Sequence, residues 1–313
     1  METIIQPTDN VLLVGDSNLT TSVAVCLLKA GHRVDVHTDD HESFSRLFTL
    51  HIRSEEENAG KSVNVENLRF CQELPLNSNY QLVIALTSEN LKIKREWIKR
   101  LENVVLSNTI IAINIESIEL DELLSVSSNA SNLLGLNWTD PAHTTFFLEI
   151  IEGESSSLAQ DFCFFTKSFW GKDPYIVKNT GIRSRLISAM AREASYLVDN
   201  GYATVEDIDR ACRNDAGYYL PFSGNCRYMD LMGTYAYGMV MKDLNPELAK
   251  DQELPEFFKK ILDGGGQGMK NGQGFYSYSE EAVENWEKTM EEFSYQIQAL
   301  IEKYPFNYKK SIL

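Results

Sequence analysis

The sequence predicts an α/β protein: a doubly wound parallel sheet over residues 1–180, followed by an all-helical domain over residues 181–313. Two observations support this prediction. Short apolar runs alternate with helical segments up to about residue 150, which is typical of a parallel sheet with helices on both faces. From Gly181 onwards most segments show the three- and four-residue apolar spacing of helices. We therefore place the domain boundary near Thr180.

The first elements form a β-α-β unit. The apolar run VLLVG at 11–15 predicts a buried strand, small apolar residues at 20–30 predict a helix that ends at Gly31, and 33–37 predicts a second strand. A unit of about 30 residues with this order is the framework of a dinucleotide-binding site.

The loop of this unit, GDSNLT, has one of the three glycines of a dinucleotide fingerprint. Gly15 is present, while Ser17 and Thr20 occupy the other two glycine positions. Both are small, and the helix N-terminus still offers N–H groups to a phosphate. Thr38 stands where an acidic residue would hold the ribose, and Asp39 follows as its substitute. Taken alone, the loop is equally compatible with a β-α-β unit that binds no nucleotide.

The remaining elements of the first domain follow the same alternation. We predict strands at 80–87, 109–113, 133–136, 146–151 and 175–178, and helices at 89–101, with Trp97 in the core, and at 155–169.

The second domain is predicted to be helical throughout. We predict helices at 183–200, after Thr204 as a capping residue with Asp207, at 229–242, at 255–262 and, as an additional C-terminal helix, at about 279–304. The Gly-rich stretch at 263–278 contains Lys270 and ends in an aromatic pair. It therefore predicts an ordered loop rather than a flexible linker.

Composition narrows the class of partner. The formal net charge of −16 argues against nucleic acid or an anionic membrane surface as the main partner. The five cysteines are scattered without a CxxC pair, and the N-terminus lacks the features of a signal peptide, which fits a cytoplasmic protein. No run of about 18 apolar residues predicts a membrane span. The five histidines lack metal-ligand spacing, so we expect no metal site.

The stretch GLNWTDPAHTTFFLEII at 135–151 has the features of a reacting centre. Polar side chains bracket a sharp Asp-Pro turn, and an apolar strand carrying Glu149 follows. An ordinary connecting loop with one buried glutamate is the alternative interpretation.

Five segments in order resemble one enzyme family. They are ALTSENLKIKREWIKRL at 85–101, AINIES at 112–117, the stretch at 135–151, ATVEDIDRACRNDAGYY at 203–219 and MKNGQGFYSY at 269–278. Together they resemble the NAD-dependent L-3-hydroxyacyl-CoA dehydrogenases. The resemblance implies a Rossmann-type domain that binds NAD, a helical domain that forms a homodimer, an acyl-CoA substrate and a role in fatty acid metabolism.

The resemblance also implies roles at the reacting centre. The family's orienting glutamate corresponds to Glu149, but its catalytic histidine corresponds to Asn137. The asparagine three residues later corresponds to Asp140, the serine that touches nicotinamide and substrate to Glu116, and a substrate-side asparagine to Ser184. The family's NAD-contacting positions are retained at Glu89, Lys94 and Lys270.

Asparagine does not accept a proton near neutral pH, so the family mechanism lacks its base here. His143 is one candidate for a relocated base. Glu116 together with Glu149 is another, because two nearby carboxylates can differ in pKa and perform acid–base work. A salt-bridged or solvated Glu116 is the simpler alternative. Arg227 stands where the family usually has a carboxylate, and a cation there would suit an acidic substrate.

Chain length affects the substrate prediction. The segment between Thr38 and Glu89 is shorter than is usual in the family, where it forms a helical hairpin that grips CoA. Three functions remain open: a dehydrogenase of this type with an altered substrate or mechanism, an NAD-linked enzyme that uses other acid–base residues, and a catalytically inactive relative with a binding or structural role.

Overall fold

The computed structural model describes residues 5–60, 62–76, 79–153 and 157–304. The chain forms two compact units, Met1–Arg185 and Leu186–Leu313. The first two residues of the helix predicted at 155–169 lie outside the described residues. None of the described helices is long and apolar enough to cross a membrane.

An eight-stranded sheet forms the centre of the first unit. Its strands are β1 (Asn10–Gly15), β2 (Arg33–His37), β3 (Leu68–Phe70), β4 (Leu82–Leu86), β5 (Ile110–Ile113), β6 (Leu133–Asn137), β7 (Glu149–Glu152) and β8 (Tyr175–Lys178). They lie in the order β3-β2-β1-β4-β5-β6-β7-β8. The sheet order reverses at β1 and β4, which confirms the predicted doubly wound topology.

One neighbouring pair departs from the predicted parallel arrangement. β6 and β7 are antiparallel, whereas every other pair in the sheet is parallel. Parallel neighbours need a crossover of a dozen or more residues, usually with a helix. The turn at 138–148 that joins β6 to β7 contains no helix, so the chain returns in the opposite direction. The resulting register places Asn137 opposite Glu149.

Helices cover both faces of the sheet. These helices are α1 (Asn18–Ala30), α2 (His41–Ser54), α3 (Leu91–Glu102), α4 (Leu120–Leu124) and α5 (Ser157–Phe169). One apolar cluster joins α1, α2 and α5 to the sheet, and a second joins α3 and α4 to it. Helix α1 ends where Gly31 takes a φ of 100°, a left-handed conformation that glycine adopts readily.

Helix α2 lies in the segment that the sequence leaves unassigned. It buries Phe44, Leu47, His51 and Ser54, which are spaced three and four residues apart. A five-residue π-helical turn at Glu55–Ala59 follows, and the chain then reaches β3. In the described part of this segment, α2 is therefore the long helix that precedes β3 at the edge of the sheet.

The second unit is helical, as predicted. Its helices are α6 (Arg183–Asp199), α7 (Val205–Ala211), α8 (Gly217–Met232), α9 (Thr234–Leu244), α10 (Glu256–Asp263) and α11 (Glu280–Lys303). Thr204 and Asp207 form the predicted reciprocal cap of α7. The single helix predicted at 229–242 is wrong, because Gly233 takes a φ of 114° and separates α8 from α9.

The Gly-rich loop is ordered, as predicted. The Gly268 N–H donates to the Gln273 carbonyl at 2.8 Å, and the Asn271 side chain donates to the Gly265 carbonyl at 2.8 Å. The ring of Phe275 packs on that of Phe258 of α10, with centroids 5.0 Å apart. Lys270 is exposed in this loop.

Candidate active site

A cavity of about 500 Å³ opens at the carboxyl ends of β1, β2 and β4. Its lining residues are Val14, Gly15, Asp16, Ser17, Leu19, His37, Asp39, Leu86, Thr87, Ser88, Ile93, Trp97 and Asn114. This is the edge at which open parallel sheets bind nucleotides. One wall is the polar loop at the start of α1, and another is apolar.

The loop requires glycine only at its first position. A Cβ on Gly15 would lie 2.6 Å from the Thr20 Oγ1 and 2.7 Å from the Leu86 carbonyl oxygen. Thr20, at the third glycine position, is buried and does not line the cavity. Its Oγ1 accepts the Ser17 N–H at 3.4 Å. A hydroxyl that bonds to the loop therefore replaces the third glycine, while Ser17 lines the cavity.

The carboxylate of Asp16 reaches across to the end of β2. Its Oδ1 accepts the Asp39 N–H at 2.7 Å and the Thr38 hydroxyl at 3.0 Å. Asp16 and Asp39 both line the cavity, while Thr38 is buried behind them. Sequence reasoning identified Thr38 and Asp39 and missed Asp16. An acid directly after the first glycine of a phosphate-binding loop was the signal available.

Two aromatic rings lie in the same cavity. His37 and Trp97 meet edge to face with centroids 6.1 Å apart, and the guanidinium of Arg100 lies 4.3 Å from the centroid of the Trp97 ring. Trp97 is only partly buried, so the prediction of a purely core position missed its contact with the cavity.

Glu89 organises the loop that follows β5. Its Oε1 accepts the backbone N–H groups of Glu116, Ser117 and Ile118 at 3.0, 2.7 and 2.9 Å. Its Oε2 lies 3.3 Å from the Nζ of Lys94. Burial opposes the charge on Glu89, but these N–H groups and the lysine outweigh it and lower the pKa of the carboxyl.

Lys94 is fully buried behind Glu89. Its Nζ donates to the Asn114 carbonyl at 2.6 Å and to the Thr87 hydroxyl at 3.2 Å. Burial lowers the pKa of Lys94, and Glu89 partly opposes that shift. Neither Glu89 nor Lys94 lines the cavity itself. Their neighbours do: the cavity is lined by Ser88, which precedes Glu89, and by Thr87 and Asn114, which Lys94 contacts.

Asn137 is enclosed by hydrogen bonds at the end of β6. Its Nδ2 donates to the Ile115 carbonyl at 2.5 Å and to the Glu149 Oε2 at 2.9 Å, while its Oδ1 accepts the Ile115 N–H at 3.0 Å. A Cβ on Gly181 would lie 2.9 Å from the Asn137 Nδ2 and 2.5 Å from the Glu149 Oε2. Glycine at 181 therefore allows the backbone to lie against this pair.

The other oxygen of Glu149 holds the start of α6. Its Oε1 accepts the Ile182 N–H at 2.9 Å, the Arg183 N–H at 3.2 Å and the Tyr175 hydroxyl at 2.9 Å. Burial and the nearby carboxylate raise the pKa of Tyr175, so the phenol remains a donor. Glu149 is fully buried and uses both oxygens on the protein itself.

Glu116, unlike Glu149, remains partly exposed. Its side chain is 35% exposed, and both oxygens lie 3.4 Å from the Nη1 of Arg183. The hydroxyl of Ser184 donates to its Oε2. Burial raises the pKa of Glu116, Arg183 opposes the shift, and the charges of Glu89 and Glu149 add to it.

The other candidate residues lie elsewhere. Asp140 accepts the Ser22 hydroxyl at 2.5 Å, which ties the turn after β6 to α1. His143 is buried, and its ring lies against His51 of α2 with centroids 4.6 Å apart. The four groups that bond to Glu149 do not include His143, so a base relocated to His143 is not supported. Lys270 and Arg227 belong to the second unit.

The cavity fits one part of a dinucleotide. A polar loop at the N-terminus of a 13-residue helix offers N–H groups for phosphate, and His37, Trp97 and Ile93 offer flat or apolar surface. Past the end of β5, Glu116, Ser184 and Arg183 place one carboxylate with a raised pKa, one hydroxyl and one cation together. This arrangement can hold a polar substrate and exchange a proton with it.

Two family profiles match this chain over most of its length. Residues 10–180 match the profile of the 3-hydroxyacyl-CoA dehydrogenase NAD binding domain, and residues 182–278 match that of the 3-hydroxyacyl-CoA dehydrogenase C-terminal domain. A 5-formyl-3-hydroxy-2-methylpyridine 4-carboxylate 5-dehydrogenase from Mesorhizobium japonicum is 26% identical over 226 residues, covering 70% of this chain and 73% of that protein.

A probable 3-hydroxybutyryl-CoA dehydrogenase from Bacillus subtilis is 25% identical over 285 residues, covering 87% of this chain and 98% of its own length. Among solved structures, that of a 5-formyl-3-hydroxy-2-methylpyridine 4-carboxylic acid 5-dehydrogenase, described as an NAD+-dependent dismutase, superposes with a TM-score of 0.85. The two share 21% identity, and the match covers 94% of this chain and 99% of the other. At that identity the structural match supports the fold.

Proposed function

From the premise that this chain belongs to the 3-hydroxyacyl-CoA dehydrogenase family and is an NAD-dependent oxidoreductase, we propose that it oxidises a 3-hydroxyacyl thioester or a related hydroxy acid, with Glu116 as its proton acceptor. Its dehydrogenase relatives do not favour the alternative of a catalytically inactive scaffold.

The amide of Asn137 serves a structural role in this proposal. The side chain is 1% exposed, and its three hydrogen bonds use both the NH₂ group and the oxygen. An amide also has no basic lone pair near neutral pH. Glu149 is similarly enclosed, because its partners are Asn137, Tyr175 and two backbone N–H groups. Both residues shape the site without exchanging the substrate proton.

The observation that carries the proposal is the setting of Glu116. It follows β5 and is partly exposed, and its pKa is raised by burial and, to a smaller extent, by the charges of Glu89 and Glu149, against the opposing charge of Arg183. A base whose pKa lies above that of an ordinary glutamate is better matched to accepting an alcohol proton near neutral pH. The Ser184 hydroxyl donates to one carboxylate oxygen and so fixes the orientation of the group.

NAD, when bound, supplies the nicotinamide that accepts hydride from the carbon bearing the hydroxyl. Glu116 accepts the hydroxyl proton in the oxidation direction and returns it in the reduction direction. Arg183 lies within 3.4 Å of Glu116 and offers positive charge to an acidic group of the substrate. Asn137 and Glu149 hold the backbone at Ile115 and Ile182 on either side of this group.

The test is Glu116→Gln, which keeps the shape and removes the base. We expect kcat/KM for oxidation to fall by about 10²- to 10⁴-fold, the usual contribution of a general base. Because the glutamine is uncharged, the variant should also lose the rise in rate with pH that the wild type shows as Glu116 loses its proton. The dissociation constant of NADH, measured by fluorescence, should stay the same.

Glu96→Gln, at an exposed position of α3, is the matched control and should leave the rate unchanged. A Glu116→Gln enzyme with the wild-type rate and pH profile would remove Glu116 from the mechanism. Wild-type protein that binds NADH but turns over none of the substrates would instead support the inactive alternative.

The structure of the segment that would contact CoA bears on whether the substrate is a CoA thioester or a free hydroxy acid. Among the described residues between β2 and β3, α2 is the one helix longer than five residues, where the resemblance implies a hairpin that grips CoA. With fewer protein contacts available to the nucleotide part of CoA, we expect substrates whose binding does not require that part. Parallel assays with 3-hydroxybutyryl-CoA and free 3-hydroxybutyrate, each with NAD, decide between the thioester and the free acid.

A homodimer formed through the helical unit, in the cytoplasm, completes the proposal. Leu186 and Met190 of α6 and Tyr235 of α9 are exposed apolar side chains that a second copy could cover. All five cysteines are free thiols, which fits a reducing compartment. Light scattering during gel filtration tests the dimer, and a monomer at micromolar concentration would contradict it.

A further inference from the structure

We propose that Asp16 selects NAD over NADP, because its carboxylate occupies the donors that a 2′-phosphate would need. The proposal rests on the use of NAD and is independent of the role of Glu116. It concerns the loop between β1 and α1 and the end of β2, both within the first unit.

The carboxylate of Asp16 already occupies the hydrogen-bond donors at the end of β2. Its Oδ1 receives the Asp39 N–H at 2.7 Å and the Thr38 hydroxyl at 3.0 Å. The Thr38 oxygen in turn accepts the Asp40 N–H at 3.3 Å, which leaves its proton directed to Asp16. Thr38 is 4% exposed, so the position of its hydroxyl is fixed by packing.

The Asp39 N–H and the Thr38 hydroxyl lie at the position where a doubly wound sheet binds the adenosine ribose of a dinucleotide. The end of the second strand lies beside the ribose hydroxyls, and an acid there accepts hydrogen bonds from them. In NADP a phosphate with roughly two negative charges replaces the 2′-hydroxyl, and it needs N–H or O–H donors or a cation. Here the donors are bonded to the carboxylate of Asp16.

The charges of the cavity act in the same direction. Asp16 and Asp39 are both in its lining, and among the described residues no lysine or arginine is. A ribose diol can donate to either carboxylate, whereas a 2′-phosphate meets two negative charges and loses its donors. Specificity then comes from a built-in repulsion as well as from a favourable contact.

The experiment measures binding without substrate. NADH and NADPH are titrated into the wild type, Asp16→Asn and Asp16→Ala, and binding is read from nicotinamide fluorescence excited through tryptophan. Asp16→Asn removes the charge but keeps an oxygen that can accept the Asp39 N–H, so the loop should stay folded. Asp16→Ala removes the oxygen as well and frees both donors. Thermal melting of each variant checks the fold.

We expect the wild type to bind NADH at least about 100-fold more tightly than NADPH, which corresponds to about tenfold for each of the two carboxylates, Asp16 and Asp39. Asp16→Asn should reduce this ratio by about tenfold or more, through a gain in NADPH affinity, and Asp16→Ala should reduce it further. A wild type that binds both cofactors equally would overturn the proposal. So would variants that weaken NADH and NADPH by the same factor, because that result would give Asp16 a purely structural role.

Discussion

The Nδ2 of Asn137 lies 2.9 Å from the Oε2 of Glu149, across the antiparallel pair of β6 and β7. The resemblance to the dehydrogenase family implies a histidine at position 137, held by this same carboxylate. Here the carboxylate holds an amide instead.

Asn137→His should therefore give the site a second base. The Nδ1–H of the imidazole can donate to Glu149, as the amide does now, which leaves Nε2 as the acceptor. We expect kcat/KM for hydroxyacyl oxidation to rise by about tenfold or more, below the full 10²- to 10⁴-fold of an established general base because Glu116 already contributes. Steady-state kinetics with NAD measures the change. Asn137→Gln is the control, and equal rates for the two variants would contradict the prediction.

Gly181→Ala tests the close packing on the Asn137–Glu149 pair. The added Cβ would lie 2.5 Å from the Glu149 Oε2, and that oxygen belongs to a buried group with no room to move. We expect the free energy of unfolding to fall by about 1–3 kcal/mol, as overpacking usually does, together with a loss of activity. Urea denaturation measures the first effect.

Gly238→Ala is the matched control for that substitution. Gly238 lies within α9, and apart from its chain neighbours and the backbone of its own helix, no atom of the described residues would lie within 4 Å of its added Cβ. Alanine there should stabilise the protein by about 0.5–1 kcal/mol, because it favours the helix. If both alanine variants shifted stability in the same direction, the packing explanation for Gly181 would be wrong.

The first β-α-β unit could be predicted closely because local signals determine it. Apolar runs, helical spacing and Gly31 predicted β1, α1 and β2 with at most two residues of difference at any boundary. Helix α2 was missed because its buried face includes His51 and Ser54, which do not register as apolar positions. The break at Gly233 was missed because the apolar pattern continues across it, and only the backbone conformation reveals it.

The site could be predicted in part. Asn137 and Glu149 were identified together because the resemblance aligns them, and their register in the sheet makes them neighbours. The contacts of Asp16 with Asp39, of Tyr175 with Glu149 and of Glu89 with Ile118 join residues 23, 26 and 29 positions apart. No periodicity connects such pairs, because they meet only after the strand ends are brought together.

His32 should make stability depend on pH. Trp170 donates its Nε1–H to the His32 Nε2 at 2.9 Å, and the His32 Nδ1 lies 3.1 Å from the Asp9 carbonyl. Burial lowers the pKa of His32 below its ordinary 6.5, and the Asp9 carbonyl partly opposes the shift. The unfolded chain therefore takes up this proton first, so the contribution of neutral His32 is complete above pH 6.5 and is lost as the pH falls toward the lowered pKa.

Urea denaturation of the wild type and of His32→Gln between pH 5 and 8 measures this dependence. The difference between their slopes isolates His32 from the other histidines. We expect the wild type to lose more stability than the variant as the pH falls below about 6.5. Parallel slopes would mean that His32 has the same pKa in the folded and unfolded chain.

Glu89→Gln should loosen the loop that carries Glu116. The substitution removes the charge that receives three backbone N–H groups and leaves the buried Lys94 without its ion pair. Removing one partner of a buried ion pair lowers the free energy of unfolding by about 3–5 kcal/mol. Because the Glu89 side chain is 26% exposed, we expect a smaller decrease of about 2 kcal/mol. Since the pKa of Glu89 is lowered, the difference between wild type and variant should be complete above the ordinary 4.5 and be lost as the pH falls from there through the lowered pKa. Urea denaturation at pH 7 and at pH 3.5 measures the difference in the free energy of unfolding between wild type and Glu89→Gln at each pH, with Glu96→Gln as the exposed control. A difference that persists undiminished at the lower pH would show that the carboxylate charge is not what holds the loop.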